Sequence, residues 1–138
     1  MSDRVLNILL VEDDEVDVMN VRRAFERNNV SNPLFVAGNG LEGLAMLRGD
    51  KIPKERRLVL LDLNMPKMNG IEFLQALRAD PELASTPVVV LTTSNDDQDK
   101  IDAYNLNVAG YLLKPVTFSN FCERMATLNK YWTLVEMP

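Results

Sequence analysis

Residues 58–70 read LVLLDLNMPKMNG, a run of four aliphatic residues that ends abruptly at Asp62. A short apolar run without alternating polar residues is typical of a parallel strand that is buried on both faces. Asn69 and Gly70 mark a turn, and a helical pattern follows them. The segment therefore predicts a buried strand with a carboxylate at its carboxyl end, followed by a helix.

The same alternation of strand and helix is repeated over the rest of the chain. The predicted strands, all of them short apolar runs and so expected to be buried on both faces, are residues 5–11, 34–37, 58–61, 88–91 and 111–113. The predicted helices are residues 15–29, 40–48, 70–79, 97–107 and 117–134. Strands that alternate with helices imply right-handed crossovers, so the sequence predicts an α/β fold with a doubly wound, five-stranded parallel sheet.

Length and composition limit the function classes. With 138 residues the chain fits a single domain, 1–138, with a core of about 5–130. Its net charge of −5 argues against direct binding of nucleic acid, and no apolar run is long enough for a membrane span. A single cysteine, Cys122, suggests a reducing, cytoplasmic location and an inert buried thiol. The sequence has no histidine, so any chemistry must use carboxylates, hydroxyls or lysine.

Four of the five predicted strands end at polar residues. Glu12 and Asp13 follow the first strand, Asp62 the third, Thr92 the fourth and Lys114 the fifth. The carboxyl ends of parallel strands lie along one edge of the sheet, where open α/β proteins bind ligands. These side chains are therefore expected to converge at one site.

Three converging carboxylates call for a cation. Each pair would repel by about 4 kcal/mol at 4 Å and an effective dielectric near 20. Mg²⁺ prefers oxygen ligands and can keep places for water and a phosphate oxygen, so Glu12, Asp13 and Asp62 are its candidate ligands. Lys114 and Thr92 could then contact two phosphoryl oxygens, and Asp62 is placed to act as the nucleophile that forms an aspartyl phosphate.

Together these motifs resemble the receiver domain of two-component response regulators over nearly the whole chain. The matching segments are ILLVEDD at 8–14, LLDLNMP at 60–66 with Asn69 and Gly70, LTT at 91–93 and GYLLKP at 110–115. The resemblance implies a flavodoxin-like receiver fold with strand order 2-1-3-4-5. Glu12 stands where many receivers carry aspartate, which keeps the charge and leaves metal binding expected.

The resemblance also implies a mechanism. A sensor histidine kinase would present phosphohistidine, and Asp62 would take the phosphoryl group in a Mg²⁺-dependent reaction. Asn64 would offer a backbone carbonyl to the metal, and the Lys114–Pro115 bond would be cis. Thr92 and Tyr111 would switch the surface of the fourth helix, fifth strand and fifth helix toward a downstream protein. Such a protein is not an enzyme, since it promotes only its own phosphorylation and dephosphorylation, and positions 64 and 94 resemble those that tune the phosphoryl lifetime in relatives.

A narrower resemblance is to the stand-alone receivers that are paired with bacterial phytochrome kinases. It rests on the long polar loop 49–57, the wording DLNMP at 62–66 and the ending YWTLVEMP at 131–138. That group tends to form homodimers without an attached output domain. The last helix has a core face, and Tyr131, Leu134 and Val135 widen it, so the tail 131–138 is predicted to contact a second copy or a partner. The residues of the core face are Phe118, Phe121, Cys122, Met125, Leu128 and Trp132.

Three other interpretations remain open at this point. Glycines at 38, 40 and 43 match a dinucleotide-binding pattern after the second strand, although the neighbouring acidic loop would repel phosphate. A haloacid-dehalogenase-type phosphatase would also use an aspartyl nucleophile, but on the first strand and with an aspartate where Asn64 stands. A receiver-like adapter would keep the fold and bind proteins without being phosphorylated.

Other acidic residues are expected to serve the helices. Asp14, Glu15 and Asp17 lie at the predicted start of the first long helix, where the helix dipole favours negative charge. A second acidic group, formed by residues 96, 97 and 99, should cap and solvate the fourth helix. Thr117 is expected to cap the last helix with an incomplete capping box.

Overall fold

The computed structural model describes residues 6–114 and 117–134, and it arranges them as five strands that alternate with five helices. The elements in chain order are β1 (Asn7–Val11), α1 (Glu15–Arg27), β2 (Leu34–Ala37), α2 (Gly40–Arg48), β3 (Arg57–Leu61), α3 (Gly70–Ala79), β4 (Val88–Thr92), α4 (Asp97–Asn105), β5 (Gly110–Leu113) and α5 (Phe118–Leu134). The predicted alternation is confirmed.

All strand pairs in the sheet are parallel, and the strand order is β2-β1-β3-β4-β5. The predicted doubly wound topology and strand order are therefore confirmed. The three inner strands, β1, β3 and β4, are buried along their whole length. The expectation that every strand is buried on both faces is wrong for β2 and β5, which are only partly buried because they form the two edges of the sheet.

Two hydrophobic cores lie on opposite faces of the sheet. On one face, Phe73, Leu74 and Leu77 of α3 pack with Leu44 and Leu47 of α2. On the other face, α1 and α5 pack against the sheet through residues that include Val21, Phe25, Phe121, Met125 and Trp132. The predicted core face of α5 is confirmed, with Phe118 at its partly buried margin.

Several helix boundaries differ from the predicted ones for a backbone reason. Helix α1 ends at Arg27, two residues early, because Asn29 adopts a left-handed conformation with φ of 56°. Helix α4 ends at Asn105, and Asn107, with φ of 61°, is likewise left-handed. Asparagine tolerates this conformation better than most residues, so the asparagine at each position is enough to explain where the helix ends.

The long loop 49–57 is fastened by the residue that begins β3. The guanidinium of Arg57 donates hydrogen bonds to the carbonyl oxygens of Pro53, Leu47 and Ile52 at 2.8, 3.0 and 2.8 Å. Arg57 itself is buried. The bonds tie the end of α2 and the loop to the start of the strand that leads to Asp62.

The loop between β3 and α3 is held by a close glycine contact and a capping box. The Gly70 amide donates to the carbonyl oxygen of Leu63 at 3.0 Å. A side chain at Gly70 would place its Cβ 2.6 Å from the Leu63 Cα and 2.7 Å from the Asp62 carbonyl oxygen. The Asn69 side chain accepts from the Glu72 amide, and the Glu72 side chain accepts from the Asn69 amide. The backbone at Asp62 is therefore fixed from the helix side.

We expect Gly70→Ala to destabilise the protein by about 1–3 kcal/mol, because the new methyl group overlaps backbone atoms that cannot rotate away. Urea unfolding followed by circular dichroism measures the change. Gly38→Ala is the matched control, since a Cβ there meets its nearest atom, Glu42 Oε2, only at 4.0 Å. Equal effects of the two substitutions would contradict the assigned role of Gly70.

Candidate functional site

The sheet itself brings the predicted acidic residues together. Beyond the end of β1, the Glu12 amide donates to the Ala37 carbonyl oxygen at 2.9 Å, and the Asp62 amide donates to the Val11 carbonyl oxygen at 3.1 Å. These bonds hold both backbones in register at the carboxyl edge of adjacent strands. One carboxylate oxygen from each of Glu12, Asp13 and Asp62 lies within 4.8 Å of the other two. The structure thus brings the three acids together at one edge of the sheet, as the sequence predicts.

Lys114 reaches into this cluster from the end of β5. Its Nζ lies 2.5 Å from Glu12 Oε1, 2.8 Å from Asp17 Oδ2 and 4.0 Å from Asp62 Oδ2. The Lys114 amide also donates to the Thr92 carbonyl oxygen at 2.8 Å, which orients the lysine relative to β4. The side chains of Lys114, Glu12 and Asp62 are nearly buried, whereas Asp13 is exposed. The site therefore has a shielded floor and an open rim.

Burial and charge act in opposite directions on the two central groups. Burial raises the pKa of Glu12 to about 7, although the hydrogen bond from Lys114 and its positive charge oppose the shift. Burial lowers the pKa of Lys114, but hydrogen bonds to Asp17 and Glu12 together with the nearby carboxylates outweigh it, and the pKa is raised. Lys114 thus stays cationic, whereas burial makes ionisation of Glu12 less favourable than in water.

Asp17 is a member of the site that the sequence analysis missed. Its position in the sequence predicts only a residue at the start of α1 that the helix dipole favours. In the structure its carboxylate accepts a hydrogen bond from Lys114. Asp14 does fill the capping role, because its side chain accepts from the Val16 and Asp17 amides. The spacing contains a usable signal, since a side chain one turn into α1 can point back toward the sheet edge at which β1 ends.

Thr92 and Tyr111 lie on the other side of the site and share a neighbour. Thr92 is the last residue of β4 and is fully buried, and its Oγ1 accepts a hydrogen bond from the Ser94 amide at 3.3 Å. The Tyr111 hydroxyl donates to the Ser94 carbonyl oxygen at 2.9 Å. The two predicted switch residues are therefore linked through Ser94.

The carboxylate cluster fits a single divalent ion. Oxygen ligands at about 2.1 Å from Mg²⁺ are roughly 3 Å apart when neighbours and roughly 4 Å apart when opposite, so oxygens within 4.8 Å of one another would close in on one shared ion. Asn64 lies beside them, and its amide donates to Asp62 Oδ1 at 3.4 Å. The predicted metal ligand at Asn64 is a backbone carbonyl, which stays a prediction. The predicted cis bond involves Pro115, which lies outside the described residues.

The glycine pattern of the dinucleotide interpretation has a packing explanation. A Cβ at Gly40 would lie 2.8 Å from Met68, and one at Gly43 would lie 3.1 Å from Phe73 and from Val11. The Asn39 side chain caps α2 by accepting from the Glu42 amide. These residues let α2 approach the sheet and α3 closely. The other alternative, a phosphatase of the haloacid dehalogenase type, is disfavoured because Asp62 follows β3 and not β1.

The fold and the site define a class: an open parallel α/β protein with an acidic, lysine-bridged site at the carboxyl ends of its inner strands. A family model of the response regulator receiver domain matches residues 8–126. The chain belongs to that family.

Two curated relatives support the assignment over nearly the full length. The probable methanogenesis regulatory protein FilR2 of Methanothrix harundinacea is 38% identical over 130 residues, which cover 91% of this chain and 82% of that protein. The response regulator Rcp1 of Synechocystis is 35% identical over 128 residues, covering 91% and 87%.

Solved structures agree with the sequence relatives. The phosphorylated cyanobacterial phytochrome response regulator RcpA superposes with a TM-score of 0.86 at 32% identity, covering 97% of this chain and 99% of that one. The Mn²⁺-bound form of Rcp1 gives a TM-score of 0.84 at 34% identity, with 96% and 99% covered. The predicted receiver fold and the resemblance to phytochrome-associated response regulators are both confirmed.

Family membership settles the general function. Receiver domains are signalling switches that are controlled by phosphorylation, they bind Mg²⁺ or Mn²⁺ through acidic residues, and they interact with histidine kinases. This chain brings together an acidic cluster of that kind. Within residues 6–114 and 117–134, none of the helices has the length and apolar character needed to cross a membrane.

Proposed function

We propose that Asp62 accepts a phosphoryl group from the phosphohistidine of a sensor histidine kinase and that phosphorylation switches a protein-binding surface. One observation carries the proposal: the Asp62 carboxylate is grouped with those of Glu12 and Asp13, with the Lys114 ammonium 4.0 Å from its Oδ2. A nucleophilic carboxylate thus lies beside a fixed cation and a cation-binding acid pair, which are the groups that phosphoryl transfer requires.

In the proposed reaction an Asp62 oxygen attacks the phosphorus, the P–N bond of the donor breaks, and the departing imidazole nitrogen takes up a proton from solvent. Lys114 is already placed to offset negative charge on the incoming oxygens. The buried hydroxyl of Thr92 accepts a bond from the Ser94 amide and keeps its proton free to donate to another oxygen. The same site would promote the later hydrolysis, so the protein would promote its own phosphorylation and dephosphorylation.

Glu12, Asp13 and Asp62, with the Asn64 backbone carbonyl, are the proposed holders of Mg²⁺. A bound ion would supply positive charge that offsets repulsion between the carboxylates and the phosphoryl oxygens. The buried Glu12 is restrained by Lys114 and by its bond from the Asp14 amide, whereas Asp13 at the open rim can adjust. Two similar proteins support this proposal, since RcpA has been solved in a phosphorylated form and Rcp1 in a Mn²⁺-bound form.

The proposed switch passes from Thr92 and Tyr111 to the surface formed by α4, β5 and α5. Ile101 and Tyr104 are half exposed and lie three residues apart on α4, so together they form a small apolar patch that suits a surface that binds another protein. We take the kinase to be a bacterial phytochrome, since similar chains are phytochrome response regulators. Residues 1–138 are proposed to form a single receiver domain that is located in the cytoplasm. Its switched surface would act on a downstream protein.

Incubation with acetyl phosphate and Mg²⁺ should add one phosphoryl group to the protein, at Asp62. Intact mass and site mapping measure the product, and Asp62→Asn should abolish it. Asp14→Asn is the matched control, because it removes a nearby carboxylate while asparagine can still cap α1. Label on a serine, or none on the wild type, would contradict the proposal and leave the adapter interpretation in its place.

Asp13→Asn should raise the Mg²⁺ concentration that gives half-maximal labelling by roughly tenfold or more, because a site of three carboxylates loses one charge. The measurement is the labelling rate over a Mg²⁺ titration. Glu15→Gln serves as the control, since Glu15 is exposed and lies two residues away, outside the cluster. A Glu15 variant that shifts the titration as far as the Asp13 variant would show a general charge effect.

We also propose that the chain forms a homodimer through a groove between β5 and α5. The groove has a volume of about 680 Å³, and its lining includes Leu112, Leu128 and Tyr131 beside the oppositely charged Glu123 and Arg124. In a two-fold contact one patch meets itself, so Glu123 of one protomer can face Arg124 of its partner. Leu134, 85% exposed at the end of α5, extends the apolar surface, and Val135 lies outside the described residues.

Replacing Tyr131 and Leu134 with serine should weaken dimerisation by at least tenfold, because the apolar area at the contact is lost. Light scattering over a range of protein concentrations measures the dissociation constant. Leu41→Ser, at a half-exposed leucine of α2, is the control and should leave the mass unchanged. A wild-type protein that is strictly monomeric would overturn the dimer proposal.

A further inference from the structure

Lys114 is held by two carboxylates, and neither of them is the proposed nucleophile. Its Nζ lies 2.5 Å from Glu12 Oε1 and 2.8 Å from Asp17 Oδ2, but 4.0 Å from Asp62 Oδ2. An ammonium group has three N–H donors, so the two hydrogen bonds leave one donor unused. The distance to Asp62 is too long for a hydrogen bond, so the nucleophile lies close to a cation that does not bind it.

Asp17 has a different place in the site from the other acids. Among the described residues, the carboxylates that lie within 4.8 Å of one another are those of Glu12, Asp13 and Asp62, and Asp17 is not one of them. The Asp17 carboxylate instead accepts a hydrogen bond from Lys114. Asp17 is therefore a partner of the lysine and lies outside the proposed Mg²⁺ site.

The two partners of this hydrogen bond differ in how firmly they are held. Asp17 is in the first turn of α1, a helix that is capped by the Asp14 side chain and that buries Val21 and Phe25. Lys114 follows an edge strand, and its charge is carried on a flexible four-carbon stem. The charge-assisted bond thus fixes a flexible side chain to a packed helix.

Space beside Lys114 shows what this bond prevents. A cavity of about 60 Å³ is lined by Lys114 and Asp17 together with the polar residues Asn20 and Thr117, and Asp62 is not part of its lining. The volume is enough for water molecules that would hydrate an ammonium group. Without its bond to Asp17, the Lys114 side chain can therefore turn into this cavity and away from Asp62.

We propose that Asp17 is a positioning residue for the phosphorylation of Asp62. It holds the Lys114 ammonium group where two donors are occupied and the third is available to an incoming phosphoryl oxygen. The inference rests on the proposed function and names a further residue of the same site. Asp17 acts through Lys114 and touches neither the phosphoryl group nor the metal.

This placement of Lys114 serves the reaction in two ways. Because the ammonium group is bound by Glu12 and Asp17, it does not donate to Asp62, and the Asp62 lone pairs stay available to attack phosphorus. Because the ammonium group is already in place, no rotation of the lysine has to precede the transfer. As the bond from phosphorus to the leaving group breaks, the unused N–H of Lys114 stabilises negative charge on a phosphoryl oxygen.

Asp17→Asn should slow labelling of Asp62 by acetyl phosphate at saturating Mg²⁺ by roughly three- to tenfold, because the released ammonium group spends less time in place. A pure charge effect has the opposite sign, since the loss of a negative charge near the site favours the approach of an anionic donor. Asp17→Glu keeps the carboxylate and should retain most of the rate. Labelling of Asp17→Asn that is as fast as that of the wild type, or faster, would overturn the proposal.

Glu15→Gln is the matched control, because it removes one negative charge from an exposed side chain two residues away and outside the cluster. It should not slow labelling. A Mg²⁺ titration then separates Asp17 from the metal ligands. Asp17→Asn should lower the maximal rate, while the Mg²⁺ concentration for half-maximal labelling moves no further than in Glu15→Gln. A shift as large as that of Asp13→Asn would place Asp17 among the metal ligands and contradict the positioning role.

A double-variant cycle shows whether Asp17 acts through Lys114. In a Lys114→Gln background, Asp17→Asn should slow labelling no further, since the side chain that Asp17 positions is gone. A second slowing of the same size as in the wild-type background would mean that Asp17 acts by another route, against the proposal.

The ammonium group can also be observed directly in the unphosphorylated protein without Mg²⁺. Its ¹H–¹⁵N correlation, assigned by its loss in Lys114→Gln, should be visible in the wild type, because burial and two hydrogen bonds slow exchange of its protons with water. The signal should be broadened beyond detection in Asp17→Asn. Equal signals in the two proteins would show that Asp17 does not hold the lysine.

The two proposals can fail separately. If the wild type takes no label, phosphorylation of Asp62 is contradicted, while the ammonium signal still reports whether Asp17 holds Lys114. If Asp62 is labelled at the same rate in the wild type and in Asp17→Asn, the positioning role alone is overturned. Circular dichroism of each variant shows that the fold is intact.

Discussion

The site depends on one nearly buried ammonium group, that of Lys114, which is surrounded by carboxylates. Lys114 reaches Glu12 and Asp17 directly and lies close to Asp62, with Asp13 completing the cluster at the rim. One positive charge thus faces four carboxyl groups, and burial raises the pKa of one of them, Glu12, to about 7, so the site as built is short of positive charge. A bound divalent ion would supply the positive charge that this arrangement lacks.

The sheet is what lets these charges be held so close. Strands β1 and β3 are adjacent and fully buried, and backbone hydrogen bonds continue one residue past each strand to Glu12 and Asp62. The loop between β3 and α3, which follows Asp62, is then fixed by the close approach of Gly70 to Leu63. Repulsion between the acids is opposed by the apolar burial of two cores, which holds the backbones that carry these carboxylates close together.

Most of the fold and the central part of the site could be predicted from the sequence. Buried apolar strands followed by polar residues place Glu12, Asp13, Asp62, Thr92 and Lys114 at one edge, because parallel strands all end on the same side. Strand order came from the family resemblance, since local patterns do not encode which strands are neighbours.

Contacts that depend on side-chain direction could not be predicted in this way. Asp17 lies at a helix start, where an acidic residue has a sufficient local explanation, and only the packed structure shows that it turns toward Lys114. The bond from Ser94 to Asp99 likewise joins two residues that each suit a helix start independently. Edge strands were misjudged because β2 and β5 are as apolar as the inner strands, although each lacks a neighbour on one side.

Two arginines stabilise the scaffold through hydrogen bonds that, unlike those of the site, have no titratable acceptor. Arg57 and Arg78 bind backbone carbonyl oxygens and have no carboxylate among their hydrogen-bond partners in the described residues. A carbonyl does not titrate, and a guanidinium stays protonated over the physiological range. The hydrogen bonds that hold loop 49–57 and the α4 terminus are therefore independent of pH. A change in cellular pH or ion content would act on the charged site, while these two parts of the scaffold keep their structure.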